Sequence, residues 1–182
     1  MIVIMSNCFI EKLIAKAQAR RFLDQGAHLF RQSDQVRSVF VVEEGLVELV
    51  RHHQDGASIV LQRASCREVI AEASVYSDTY HCDAVARMPS SLVELPKTEF
   101  LKCLREDEEF SGLWAAHLAR EVQSGRYQIE ILSRKTVAER LDGWLAWRGN
   151  RMPAKGEWKN IAAQIGVSPE ALYRELSKRR SK

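Results

Sequence analysis

The side chains with the widest chemical reach in this chain lie near its end. Ser168, Glu170, Tyr173, Arg174 and Ser177 precede a cationic run, Lys178, Arg179 and Arg180. Cations of this kind meet phosphates, while Glu, Arg and Ser side chains can also reach base edges. Acid–base or covalent chemistry needs other patterns. No nucleophile beside a base, no paired carboxylates and no glycine-rich phosphate loop has a workable spacing, so no catalysis is expected. A second reactive set is scattered: His28, His52, His53, His81 and His117, with Cys66 and Cys82. Their spacing lacks the close repeat of a zinc or iron–sulfur site, and His81 and Cys82 are strand neighbours that face opposite ways, so no metal site is expected.

Presenting the first set outward requires a rigid backing. Residues 157–180 read as two short helices around a tight turn, Trp158–Ile165, Gly166-Val167 and Pro169–Arg179. Ser168 is the N-cap candidate, Pro169 suits the first helical position, and Glu170 favours the first turn. Ile161, Ile165, Val167, Leu172 and Leu176 supply a shared core, and Ala162 permits close crossing. This is helix-turn-helix grammar. Such a second helix fits a major groove, with Glu170, Tyr173, Arg174 and Ser177 facing the bases.

Charge follows the same division. Residues 133–182 hold 12 Lys or Arg against 5 Asp or Glu, a balance of +7, whereas residues 1–132 carry −4. A basic module on a mildly acidic body suits nucleic-acid attraction, because phosphate contact needs only one positive face.

Upstream, Asp107 to Leu132 spans one long helix, about 39 Å at the usual rise. Along it, Ala115, Leu118, Val122, Gly125, Ile129 and Leu132 are spaced alternately by three and four residues. That narrow seam predicts parallel pairing in a homodimer, with Gly125 allowing close approach. Burial within one monomer is the alternative. Glu106-Asp107-Glu108-Glu109 suits the positive end of such a helix. Ser133 marks a hinge or N-cap, and a further amphipathic helix covers Thr136–Trp147, with Val137, Leu141, Trp144 and Leu145 inward.

Between a leading helix at 9–17 and Pro96 the period changes to two. Ala19–Leu23, Ala27–Phe30, Ser38–Glu43, Leu46–His52, Ala57–Gln62, Glu68–Ala71, Cys82–Ala86 and Ser91–Leu95 read as short strands, and Asp55-Gly56 is the clearest hairpin turn. Eight short strands without room for crossover helices predict an antiparallel jelly-roll barrel. The fold class is therefore α+β, with a barrel unit at 1–106, a pairing helix at 107–132 and a helix-turn-helix unit at 133–182. At 182 residues and 46% hydrophobic content the chain can build such cores. It shows no transmembrane run and no signal-peptide pattern, and Cys8, Cys66, Cys82 and Cys103 read as reduced thiols, so a cytoplasmic protein without membrane contact is expected.

This order of parts resembles the bacterial regulators related to the catabolite activator protein and the fumarate-and-nitrate-reduction regulator. The resemblance is carried by Val39-Phe40-Val41-Val42-Glu43-Glu44-Gly45-Leu46-Val47-Glu48-Leu49 and by Ile161-Ala162-Ala163-Gln164-Ile165-Gly166-Val167-Ser168. It implies a cyclic-nucleotide-binding-like barrel acting through the long helix on a DNA-reading module. Double-stranded DNA and a second copy are the implied partners, with RNA polymerase as a further one. Glu170 and Arg174 match the family's base-reading pair, while Pro169 replaces a frequent contact arginine. In the barrel, Ala71-Glu72 and Tyr80-His81 stand where nucleotide-binding members carry Gly-Glu and Arg-Ser. The phosphate arginine is thus missing unless Arg67 or Arg87 replaces it, and cyclic AMP is not the expected effector. A haem- or metal-dependent sensor of the same fold and a scaffold that does not bind DNA remain alternatives. The family also adds a two-stranded wing after the reading helix. Since the sequence stops at Lys182, that wing is expected to be truncated or absent.

Overall fold

The computed structural model describes residues 2–52, 58–150, 152, 156 and 158–180, with side chains from residue 9 onward. The Asp55-Gly56 turn, His53 and the Cys8 side chain lie outside the described residues. Two compact units divide the chain, residues 1–118 and 119–182.

The first unit is built on helix α1 (Ile2–Lys16) and eight strands: β1 (Ala19–Leu23), β2 (His28–Phe30), β3 (Ser38–Glu44), β4 (Val47–His52), β5 (Ser58–Ala64), β6 (Val69–Ile70), β7 (Asp83–Ala86) and β8 (Ser90–Pro96). They form two antiparallel sheets, ordered β1-β8-β3-β6 and β2-β7-β4-β5. The alternation of side chains along β3 then serves two cores. Phe40 and Val42 enter a cluster between the sheets with Phe30, Val47, Leu49, Ile70, Tyr80, Cys82 and Leu92. Val39 and Val41 face the other way, into a second cluster with Phe9, Leu13, Val93, Phe100, Phe110 and Trp114. A strand buried on both faces reads as a continuous apolar run, which is the appearance of Val39-Phe40-Val41-Val42. Gly45 closes the β3–β4 hairpin at φ +94, and a Cβ there would collide with the Ser90 side chain and the Pro89 carbonyl. Glycine is required on both counts.

Helices α2 (Lys97–Glu106) and α3 (Glu108–Ser133) follow. Asp107 caps α3 by accepting a hydrogen bond from the Phe110 N–H at 2.9 Å. The α3 helix is continuous, and its residues fall in both units.

In the second unit, α4 (Val137–Trp147), α5 (Trp158–Gln164) and α6 (Pro169–Arg180) pack with the last turns of α3. Their core is Ile131, Leu141, Trp144, Trp158, Ile161, Ala162, Ile165, Leu172 and Leu176. The α4 cap is Thr136, in a reciprocal capping box with Glu139. Ser133, the sequence's candidate for a cap or hinge, instead donates its hydroxyl hydrogen to Ile129 O, one turn back in α3. The local contest goes to Thr136 because its N3 residue is a glutamate that can return the bond. Gly166 sits at φ +64, where a Cβ would lie 2.8 Å from Leu132 Cδ2. The turn therefore combines a left-handed backbone with a close approach to α3.

Candidate nucleic-acid interface and barrel pocket

On α6 the core residues Leu172 and Leu176 are buried, and Glu170, Tyr173, Arg174, Ser177 and Lys178 lie on exposed positions. Ser168 caps the helix, its hydroxyl accepting from the Ala171 N–H at 3.2 Å. Glu170 is held below the usual carboxyl pKa range by its own backbone N–H and by the Ser168 hydroxyl, with smaller help from Arg174 and Lys159. Tyr173 keeps 37% of its surface exposed although its ring lies 5.5 Å from that of Trp158.

Two of the cations named from sequence are placed differently from their neighbours. Arg179 turns back across the module, bonding Asp142 at 2.6 Å, Glu175 at 2.8 Å and the Ala138 carbonyl at 3.1 Å. This corrects its expected place on the outward face. The two carboxylates raise its pKa, Asp142 foremost. Arg180 is exposed, but its guanidinium lies over the Trp158 ring, 5.1 Å from the centroid. Charge alone fixed neither placement. A long arginine goes to whichever carboxylate or ring the neighbouring helix presents.

The module is braced from behind. Arg140 donates through Nε to Arg134 O at 2.9 Å and through one terminal nitrogen to Ile165 O at 3.2 Å and Gly166 O at 2.9 Å. Trp144 Nε1 donates to the Gln164 side-chain carbonyl at 2.8 Å, and Gln128 donates to the Gln164 backbone carbonyl. Sequence reading assigned Arg140 and Gln128 no task. Ile165, Gly166 and Gln164, whose carbonyls they reach, lie 25 to 36 residues away, which no local spacing reveals. On α3 itself, Val122, Ile129 and Leu132 are 53%, 66% and 40% exposed, and Ala115 and Gly125 are also exposed, with Leu118 half-buried.

The residues expected from sequence to line a ligand pocket occupy the β5–β7 region of the barrel. Ala71 adopts a left-handed conformation, φ 59 and ψ 35, and starts the 3-10 turn Glu72–Tyr76. Glu72 lies close by, accepting from Gln62 Nε2 at 2.7 Å. Tyr80 is buried, stacked on Phe30 with centroids 3.4 Å apart and 5° between planes, its hydroxyl donating to Ser38 O at 3.4 Å. Burial foremost, and the charges of Glu94 and Asp34, push the phenol pKa well up. His81 is exposed while Cys82 is buried. Ala71, Glu72 and Tyr80 are thus tied into the barrel, and His81 is turned out of it.

Residues 20–107 match the family profile described as a cyclic nucleotide-binding domain. The chain is 25% identical over 136 residues to the transcriptional activator protein anr of Pseudomonas aeruginosa, and 27% identical over 123 residues to the cyclic AMP receptor protein of Thermus thermophilus. The matched stretches are 75% and 67% of this chain and 56% and 57% of those relatives' own lengths, so the chain covers little more than half of each. Among solved structures, FixK2 from Bradyrhizobium japonicum superposes with a TM-score of 0.71 at 19% identity, over 90% of this chain and 84% of FixK2. The chain thus resembles the catabolite activator protein and fumarate-and-nitrate-reduction regulator family.

Members of that family named for cyclic nucleotides imply an anionic ligand in the barrel, and the residues here do not fit one. Phe30, Phe40, Val42, Leu49, Ile70 and Leu92 pack together there with Tyr80 and Cys82. Arg67 and Arg87, the possible replacements for the phosphate arginine, pair elsewhere, with Glu11 and Glu48, both at 2.6 Å. An unpaired phosphate in such surroundings would carry a large desolvation penalty.

The histidines are dispersed as well. His28 and His52 approach Asp83 at 3.5 and 3.6 Å, and His117 stacks between Phe9 and Trp114. Among the described residues no cluster of three or more His, Cys, Asp or Glu side chains is suited to holding a metal ion. Among them, too, no helix is long and apolar enough to cross a membrane.

Proposed function

We propose that this chain is a homodimeric, sequence-specific double-stranded-DNA-binding transcription regulator, a non-enzymatic bacterial protein working in the cytoplasm. The observation that carries the reading is the outer face of α6. Glu170, Tyr173, Arg174, Ser177 and Lys178 are all exposed there, while the opposite face is anchored by Leu172 and Leu176. A helix held from behind with its polar side free can enter a major groove, where an arginine or glutamate meets base edges and a lysine meets phosphate. Arg180 borders this face. Arg179 serves instead to hold α6 against α4.

Dimerisation through α3 supports the same function. Ala115, Leu118, Val122, Gly125, Ile129 and Leu132 form a stripe whose C-terminal half leaves large apolar side chains in water, a cost that a second copy would remove. Two reading helices related by a two-fold axis would then meet successive half-sites, supplying specificity that one short helix lacks. On this reading the chain divides by task into a barrel unit at 1–106, a pairing helix at 107–132 and a reading module at 133–182. RNA polymerase is the further partner that a regulator at a promoter would meet.

Fluorescence anisotropy of the full chain over a panel of two-fold-symmetric duplexes tests the reading. Binding to a preferred sequence by a dimer is expected, with affinity falling as salt rises. Equal binding to all sequences, or none at low salt, would overturn it.

A further inference from the structure

The turn after β6 is where a cyclic-nucleotide-type barrel would meet its ligand, and here a strand of the barrel already does so. Gln62 lies on β5 opposite Leu49, immediately beside the register shift in the β4–β5 pairing. Its side-chain carbonyl accepts from the Ala71 N–H at 3.0 Å. The amide nitrogen donates to Glu72 Oε2 at 2.7 Å and to Val69 O at 3.2 Å. Both hydrogens of the amide and its oxygen are therefore engaged, and all three bonds end on the segment 69–72.

This segment needs such a hold. Ala71 is an alanine in the left-handed region, a conformation that persists only where its surroundings over-determine it. Next to it, the Tyr80 ring lies flat on Phe30 within the barrel interior. An incoming anion would have to take the Ala71 N–H from Gln62 and separate a packed aromatic pair. Both steps oppose entry.

We propose that Gln62 is a built-in ligand of the Ala71-Glu72 turn, fixing it in place of a cyclic nucleotide, so that the barrel of this regulator is set without one. The role in regulation rests on the function proposed above, whereas the role of Gln62 in the turn does not.

Three measurements on the full chain decide it. Calorimetry and thermal melting with cyclic AMP and then cyclic GMP are expected to show no heat of binding and no shift; a saturable response to either overturns the proposal. Hydrogen exchange compares Gln62→Leu, which keeps the volume and loses the amide, with the parent. Amides 69–76 are expected to exchange at least tenfold faster while those of β3 and β8 keep their rates; unchanged exchange at Ala71 overturns it. Should that variant not fold, Gln62→Glu sets a second carboxylate against Glu72, and exchange of the turn no faster than in the parent at neutral pH overturns it equally. DNA affinity is expected to stay within twofold when either nucleotide is added, and a tenfold change overturns it. A chain that binds no DNA with or without nucleotide contradicts the proposed function, and calorimetry and exchange then decide this inference alone.

Discussion

The turn at Ala71-Glu72 and the outer face of α6 are both polar, and they use their polarity in opposite ways. In the barrel the Ala71 N–H, the Glu72 carboxylate and the Gln62 amide bond one another. On α6, Tyr173, Arg174, Ser177 and Lys178 lie on an exposed face of a helix whose core side is closed. A hydrogen bond made within the protein must be broken before a ligand can have it, so a satisfied cluster gains little from binding. An exposed cation gains contact with phosphate and releases counterions. The kind of residue matters less than whether its partner is already in the chain.

The largest expected effect comes from the closed side of this contrast. Phe30→Ala removes the ring on which Tyr80 stacks and should cost about 3–5 kcal/mol in denaturant unfolding, as for other large-to-small aromatic changes. A loss below about 1 kcal/mol would mean that the stack is not part of the barrel's packing.

Next is Arg174→Ala, on the open side. It should weaken binding to the preferred duplex by about 1–3 kcal/mol and relax base preference at one position. Unfolding should move by no more than about 0.5 kcal/mol, the usual range for a surface change. Uniform weakening across all sequences would reassign Arg174 to phosphate contact.

Ala71→Gly tests the strain in the barrel turn. Releasing the left-handed alanine should stabilise the protein by up to about 1 kcal/mol, read as a higher unfolding midpoint. Destabilisation would show that the methyl group is needed in the interior.

Arg179→Ala separates two neighbouring cations by task. Because its bonds go to Asp142, Glu175 and Ala138, stability should fall by about 1 kcal/mol or less, in keeping with partly exposed pairs. DNA affinity should change far less than with Arg174→Ala. An equal loss in both variants would return Arg179 to the interface.

The smallest effect is in pH. The folded pKa of Glu139 is depressed, first by the Thr136 backbone N–H, and that of Glu170 by its own N–H and Ser168. With folded values below the unfolded one, the stability they add is present above the unfolded carboxyl pKa, about 4.3, and is lost as pH falls through the lower folded values. Thermal melts of Glu139→Gln should therefore differ from the parent at neutral pH and converge with it in acid. A constant difference across that range would remove the ionised carboxylate from the cap.

Much of the architecture was legible because it rests on local period. The strand Ser38–Glu44, the span of α3 and the Pro169 start of α6 each fall within a residue or so of their expected places. Less legible was β5. Ile59 and Leu61 lie on its exposed side and Gln62, on the other, bonds the turn, so the most apolar positions of that strand point away from the residue that holds the turn. Thr136 could have been read as the α4 cap from the Thr-x-x-Glu spacing with Glu139.

What the sequence determined by itself was the succession of elements, the divided charge and which face of each helix is apolar, since these depend on neighbours three or four positions away. Only the tertiary structure decided that Arg174 is exposed while Arg179 is bonded across the module, that Arg140 braces the turn between α5 and α6 and that Gln62 bonds the barrel turn. Those outcomes depend on atoms from distant segments coming within about 3 Å, the reach of a hydrogen bond. No periodicity along the chain encodes that distance.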